Sequence, residues 1–447
     1  MAVLRQSCQS RERTLPFRCK PGRARTPMKI VLANRYFYPD QSATSRMVSS
    51  LAFSLAGQGH SVTALASRHF HDRRDAVLPA RETINGVSVR RLWTSGFGRS
   101  GLAGRAVDYG TFHMSAALWW LLNTGRKDVC VVCTDPPLLA VTGAMPIALR
   151  GGRLVNWVMD LFPETATELG LLSQGAPSGK ISLLLRDWSL KRAALTICPM
   201  QEMNRYLASR TPGVSQFTTV HHWSDGEEIH PVHPEHNRLR REWGLEGTFV
   251  VGYSGNFGRA HEFDTLINAA EKLRGHDHVR FLLIGDGQRR AATEREVRRR
   301  GLSNVLFKPY QPSELLAQSL SAADVHIVSL LPELEYCIVP SKFYGVLAAG
   351  RPTIFIGDLD GEVATVVRRA ACGESVAPGD ADGLAGLILR LESELTERLA
   401  MGRRARQLLE IEYGRDHGVD RWQEAVSHLL TQEQPTRVSP RPQEVRM

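Results

Sequence analysis

Short, nearly unbroken apolar runs alternate with helix-like stretches along this chain, and that alternation restricts the fold more than any other feature. The early runs are "KIVLAN", "SVTALAS", "DVCVVCT", "RLVNWVMDL" and "ALTICPM". A strand with one wet face alternates apolar and polar residues. A run without alternation reads as buried on both faces, as in a parallel sheet. Helical patterns such as "SRMVSSLAFSLAGQG", closed by glycines, lie between the runs. Strands and helices in alternation predict an open, doubly wound α/β sheet.

The alternation breaks at residues 224–247, where "SDGEEIHPVHPEHN" has proline, glycine and charge without periodicity. A second series follows: "TFVVGYSG", "VRFLLIGDG", "NVLFKPY", "DVHIVSL", "PTIFIGD" and "GESVAPG". The expectation is therefore two doubly wound, Rossmann-like domains facing across a cleft. The first spans 28–228 and the second 247–414, joined by a linker at 229–246. A final helix spans 415–432, and the polar, proline-containing residues 433–447 read as a disordered tail.

Charge needs division before it is interpreted. The net charge of +10 is concentrated in residues 1–27, which hold seven Arg/Lys and one Glu. That leader has no apolar stretch of the secretory type and is expected to be dispensable, with Met28 opening the first strand. The remaining charge is not interleaved with aromatics along one face, so no nucleic-acid partner is expected. No run of about 18 uncharged apolar residues suggests a membrane span. The seven cysteines are an odd number. Cys130 and Cys133 fall within one strand, three residues apart, and so face opposite sides rather than forming a metal clip. Reduced structural cysteines in a cytoplasmic protein are expected. The chain has 8 lysines against 48 arginines, which makes each lysine more informative.

In open α/β sheets, ligands sit at the carboxyl ends of strands, beside helix N-termini. Several loops qualify. "GYSGNFGRAHEFDTL" places Gly255 and Gly258 where backbone can approach a ligand, with Arg259 and His261 adding positive charge. An empty strand–helix turn is the bland alternative. "LLIGDG" supplies Gly285, and "FKPYQPSELL" supplies Tyr310, which could stack on a base or simply pack. "VPSKFYGVLAAGRP" begins a helix at Ser341, with Lys342 in its first turn and Gly345 one turn later. Ser341 and the first-turn amides would donate to a diphosphate, Lys342 would neutralise it, and Gly345 would leave room for a ribose or a water. Glu335 would face sugar hydroxyls just beyond. A capped helix with a solvated lysine is the competing reading.

In the first half, "YFYPDQSATS" opens a helix at Ser42, Thr44 and Ser45, a candidate acceptor site. Asp160, in "NWVMDLFPE", could orient or deprotonate an acceptor hydroxyl, or merely cap a helix. Asp358 and Asp360 resemble a metal-binding pair, but an ordinary acidic loop fits better. His69, His71, His221 and His222 show no third ligand, so no metal site is expected. "GRAVDYGTFHMSAALWWLLNTGRK" and "KISLLLRDWSLKR" could lie on an anionic bilayer or face a core.

Taken together, "YSGNFGRAHEFDTL", "NVLFKPYQPSELL", "PELEYCIVPSKFYGVLAAGRPTIFIGD" and "NWVMDLFPE" resemble the bacterial family 4 glycosyltransferases of GT-B fold, in the branch that builds O-antigen, capsule and colanic-acid-like polysaccharides. The resemblance covers about residues 28–430. It implies a nucleotide-diphosphate sugar donor in the C-terminal half and a glycan acceptor, lipid-linked, in the N-terminal half. It also implies hexosyl or N-acetylhexosaminyl transfer with retention, no metal or other cofactor, and a last helix that crosses back. Peripheral contact with the cytoplasmic face of the inner membrane would follow. The family's paired glutamates fall at Cys337 and Gly345, its loop arginine and lysine at Asn256 and His261, and its N-terminal-domain histidine near Met159. A non-catalytic nucleotide-sugar-binding partner and a sugar-nucleotide epimerase are the alternatives.

Overall fold

The computed structural model describes residues 27–431, apart from 72–75, 99, 100, 174 and 215. The basic leader, except Pro27, and the polar tail lie outside the described residues. The first sheet contains Lys29–Ala33 (β1), Ser61–Ser67 (β2), Arg81–Ile84 (β3), Val87–Leu92 (β4), Val129–Cys133 (β5), Arg153–Trp157 (β6), Leu195–Cys198 (β7) and Phe217–Thr219 (β8). Its order is β3-β4-β2-β1-β5-β6-β7-β8, parallel except for the β3–β4 hairpin. The second sheet contains Phe249–Ser254 (β9), Val279–Ile284 (β10), Val305–Lys308 (β11), Val325–Ser329 (β12), Thr353–Ile356 (β13) and Gly373–Val376 (β14). Its order is β11-β10-β9-β12-β13-β14, parallel throughout.

Both sheets reverse direction of strand order at their first strand. Ile30 of β1 lies opposite Val62 on one side and Val129 on the other. β9 likewise sits between β10 and β12. The crevice beyond such a reversal is where ligands bind in open sheets. It places the loops after β1 and β9 at the centre of each cleft wall.

The unbroken apolar runs are explained by helices on both faces. Cys130 packs with Phe112 and Trp120 on one face of the first sheet, and Cys133 packs with Trp157 on the other. The five cysteines at 130, 133, 198, 337 and 372 are buried and unpaired. Residues 229–246 are not the open linker that their composition predicts. Within them the helix Arg238–Glu242 is capped by the Asn237 side chain, and its Arg240 pairs with Asp324 at 3.1 Å. Leu245 packs with Val250 and Leu282 of the second sheet. A helix this short completes too few turns to print a period in the sequence.

The final helix, Arg415–Thr431, returns to the first domain. Its Trp422 meets Trp157 at a centroid distance of 4.7 Å, and Val419 and Val426 join the same core. A second tie crosses the cleft. Asp160 pairs as an antiparallel bridge with Ile338, and Leu161 N donates to Cys337 O at 3.0 Å. Leu334 and Cys337 share a core cluster with Leu161 and Met200, so the two halves are packed together here.

Candidate active site in the cleft

The C-terminal wall is built from glycines that could not be anything larger. Gly255 and Gly285, at the ends of β9 and β10, have φ of 147° and 137°. A Cβ on Gly285 would stand 1.9 Å from the Gly255 carbonyl oxygen. The two turns therefore touch backbone to backbone, and the Arg290 guanidinium donates to the Gly285 carbonyl beside them. Lys342 enters this clearing from the next element, its Cε 3.2 Å from the Cβ position of Gly255.

Lys342 is a half-buried cation without an acidic partner among the described residues. Its Nζ donates to the Tyr253 hydroxyl at 2.6 Å and lies 4.1 Å from the Tyr253 ring centroid. The Tyr253 hydroxyl donates in turn to Asn256 O at 2.7 Å. Burial lowers the Lys342 ammonium well below its usual range. A charge held so is stabilised by any anion that arrives.

Other expectations for this wall need correction. Ser341 does not cap the helix Lys342–Ala348 through its side chain. Its φ and ψ of −55° and −21° are already helical, and a capping side chain needs extended backbone to reach back. The amides of Phe343 and Tyr344 are bound to the carbonyls of Pro340 and Ser341. That leaves side chains, Lys342 with Arg259 and Arg290, rather than the helix end, as the source of positive charge. Nor does His261 add charge. Burial first, and then Lys342, push it down to about 3, while its Nδ1 donates to Ser329 O at 2.7 Å. Glu335 is 8% exposed, and its Oε1 accepts from Glu362 N at 2.7 Å. Burial raises it to about 7, with Asp358 adding repulsion.

The remaining donor candidates line the rim. Arg259 donates to Gln288 at 2.9 Å and is exposed. Asn256 is exposed beside Gly258, whose Cβ position lies 3.0 Å from its Nδ2. Tyr310 is 54% exposed. A Cβ on Gly345 would meet only Leu320 Cδ1, at 3.4 Å. The Asp358 carboxylate accepts from Asp360 N at 3.0 Å, which makes the pair an acidic turn.

The N-terminal wall is acidic. Asp160 follows β6, its amide held by Thr134 Oγ1 at 3.4 Å. Water reaches it through the cleft, but desolvation there, followed by repulsion from Asp135, lifts it to about 6. Of the three hydroxyls expected on the helix Ala43–Gly57, Ser45 is spent: it is buried and its Oγ donates to Asp40 O at 2.9 Å. Ser42 makes no side-chain cap, and its Oγ is buried without a partner. Thr44 is half-buried. The neighbouring Gln41 accepts from Ser313 of the opposite wall at 3.2 Å, so these loops meet across the cleft.

Sequence reasoning missed Tyr253 and Arg35. Tyr253 looked like one more apolar residue of β9. Arg35 follows β1, is 4% exposed, lies over the Tyr109 ring at 4.9 Å and reaches Asp108 at 3.4 Å. A charged residue directly after the first buried run was the available signal.

Comparison with known proteins agrees with this architecture. Residues 42–223 match the family model "Glycosyl transferase 4-like domain", and residues 248–394 match "Glycosyl transferases group 1". The putative colanic acid biosynthesis glycosyl transferase WcaI of Escherichia coli K12 is 24% identical over 337 residues, which is 72% of this chain and 82% of WcaI. The probable glycosyltransferase WbjE of Pseudomonas aeruginosa is 23% identical over 310 residues, 69% of this chain and 76% of WbjE. The crystal structure of Anabaena HepE in complex with UDP and glucose has a TM-score of 0.68 at 16% identity, covering 90% of this chain and 100% of HepE. That likeness speaks for the fold alone. With the two family models matching the two halves in order, and the two sheets facing each other as the GT-B fold requires, this chain belongs to the family 4 glycosyltransferases.

Proposed function

We propose that this glycosyltransferase moves a hexosyl or N-acetylhexosaminyl group, with retention, from a nucleotide-diphosphate sugar to a lipid-linked glycan during cell-surface polysaccharide assembly. The observation that carries the reading is Lys342, a half-buried ammonium with no carboxylate partner among the described residues, set against the Gly255 turn. A diphosphate supplies the missing anion, and its negative charge grows as the sugar bond breaks. An ammonium already in place stabilises that change without reorganisation. Arg259 would take the outer phosphate oxygens, since the Gly255 and Phe257 amides are already bound to Ile284 O and Asp286 O, and Tyr310 would stack on the base. WcaI, named for colanic acid biosynthesis, WbjE, named as a probable glycosyltransferase, and HepE, bound to UDP and glucose, support the choice of donor and pathway class.

On the opposite wall Asp160 would accept a hydrogen bond from the acceptor hydroxyl. In a retaining reaction the leaving phosphate assists the same hydroxyl, so a strong protein base is not required. Lys342 and Arg259 would meet the diphosphate charge in place of a metal. The test is release of nucleoside diphosphate from a panel of nucleotide sugars, with and without lipid-linked glycan. Acceptor-dependent release with EDTA present is expected. Release that needs added Mg²⁺ would return Asp358 and Asp360 to consideration. Conversion of the sugar nucleotide without any acceptor would favour an epimerase.

A further inference from the structure

Three helices of the first domain, Leu102–Asn123, Leu139–Leu149 and Pro177–Arg192, lie side by side on the same face of the sheet. The middle helix packs between the others, with Gly143 close against Trp120 and His113 bonded to Thr142 at 2.6 Å. Their polarity is inverted. Met114 is 73% exposed, Leu149 71% and Leu184 71%. On the first helix Val107, Met114, Leu118 and Leu122 recur at helical spacing along the outward side. The acid of that helix, Asp108, is 1% exposed and faces inward. Ile181 and Leu184 continue the stripe on the third helix, and Met145 on the second. An outward face of this kind has no reason to persist in water alone.

The margin of this face identifies its occupant. Arg126, Lys127 and Arg150 stand exposed at one end of the first two helices, and Lys180, Lys191 and Arg192 flank the third. The only other acid on the three helices, Asp187, is held by Arg186 and Arg210. Two copies of such a face would oppose like charges across their rims. A sheet of anionic headgroups above an acyl layer matches both features, since long basic side chains reach up to headgroups while the stripe sinks below. No helix among the described residues is long and apolar enough to cross a membrane.

We propose that this three-helix face docks the enzyme on an anionic lipid bilayer. The proposal rests on the reading of a lipid-linked acceptor, and it adds which face of the acceptor domain meets the lipid. Asp108, on the inner side of the docked helix, accepts from Arg35 at 3.4 Å, and Arg35 follows β1 at the mouth of the cleft.

The test is co-sedimentation of the full chain with vesicles and does not require turnover, so its failure and a failure of the transferase reading are separable. Phosphatidylcholine vesicles containing phosphatidylglycerol should retain the protein, and phosphatidylcholine alone should retain much less. The double variant Met114→Asp with Leu184→Asp should bind at least about tenfold more weakly. Lys191→Gln with Arg192→Gln should lose about fivefold for each cation removed. All these side chains are exposed, so thermal melting should be unchanged, which separates lost docking from lost folding. Binding that survives the Met114/Leu184 change undiminished would assign it elsewhere, for example to the basic leader, and overturn the proposal. So would a protein that ignores anionic vesicles, or one whose dimer dissociates on the same substitution.

Discussion

The two walls of the cleft are built alike and charged oppositely. Each is the carboxyl end of a parallel sheet at its point of reversal. The N-terminal wall gathers carboxylates, Asp160 beside Asp135. The C-terminal wall offers glycine turns and one half-buried ammonium, Lys342, while the Glu335 carboxylate is committed to the amide of Glu362. One fold repeated twice has thus been given an end that suits a hydroxyl and an end that suits a diphosphate. Function resides in these few side chains, because the fold itself is shared by enzymes of many specificities.

That contrast is most exposed to Asp160→Asn. If the acidic wall handles the acceptor hydroxyl, turnover should fall by about two to four decades with donor binding retained. Wild-type turnover should also decline as pH drops through about 6, where the carboxylate takes up its proton. A variant that loses donor affinity instead would place Asp160 on the wrong side of the comparison.

Lys342→Ala tests the other wall. Turnover should fall by about one to three decades, on the order of 1.4 to 4 kcal/mol of transition-state stabilisation. The empty protein should be equally stable or slightly more so. The sign follows from the lowered ammonium: below its unfolded value the unfolded chain binds that proton more readily, so burying the lysine costs stability at neutral pH. Unfolding of the variant, with full turnover in whatever stays folded, would make the lysine structural.

Glu335→Gln should have the smallest effect on turnover, because its carboxyl serves the helix start Glu362–Ala370. Its signature is in stability. Burial raises Glu335 to about 7, and Glu362, half-buried beside it, is also raised to about 7. The folded state therefore holds protons that the unfolded state has released. Stability from these groups is present at low pH and is lost as pH rises from about 4.5 towards 7. The variant should melt higher than wild type at pH 8 and flatten that dependence. An unchanged melting profile with a large loss of turnover would return Glu335 to the sugar site.

The sequence made the core strands legible because burial on both faces leaves no alternation to misread. β3, β4 and β8 escaped. "RETI" and "VSVRRL" carry charge at the sheet edge, although Asn85 and Gly86, both at positive φ, form the Asn-Gly turn that signals a hairpin. At the site, Lys342 and the glycines were readable because the lysine is scarce and the glycine turns follow strand ends. His261, Ser341 and Ser45 were misjudged for one physical reason. Whether a polar side chain serves a ligand depends on which backbone carbonyl or backbone angle claims it first, and those claims come from distant segments such as Ser329.

The central claim is that the C-terminal wall holds a nucleotide diphosphate through Lys342. Calorimetric titration of nucleoside diphosphates into the wild type and into Lys342→Ala tests it most directly. The account predicts that at least one nucleotide binds the wild type and binds the variant about ten- to a hundredfold more weakly, in keeping with loss of a charge-assisted contact. Equal affinity in the two proteins, or binding that is lost only when Arg259 is replaced, would contradict it.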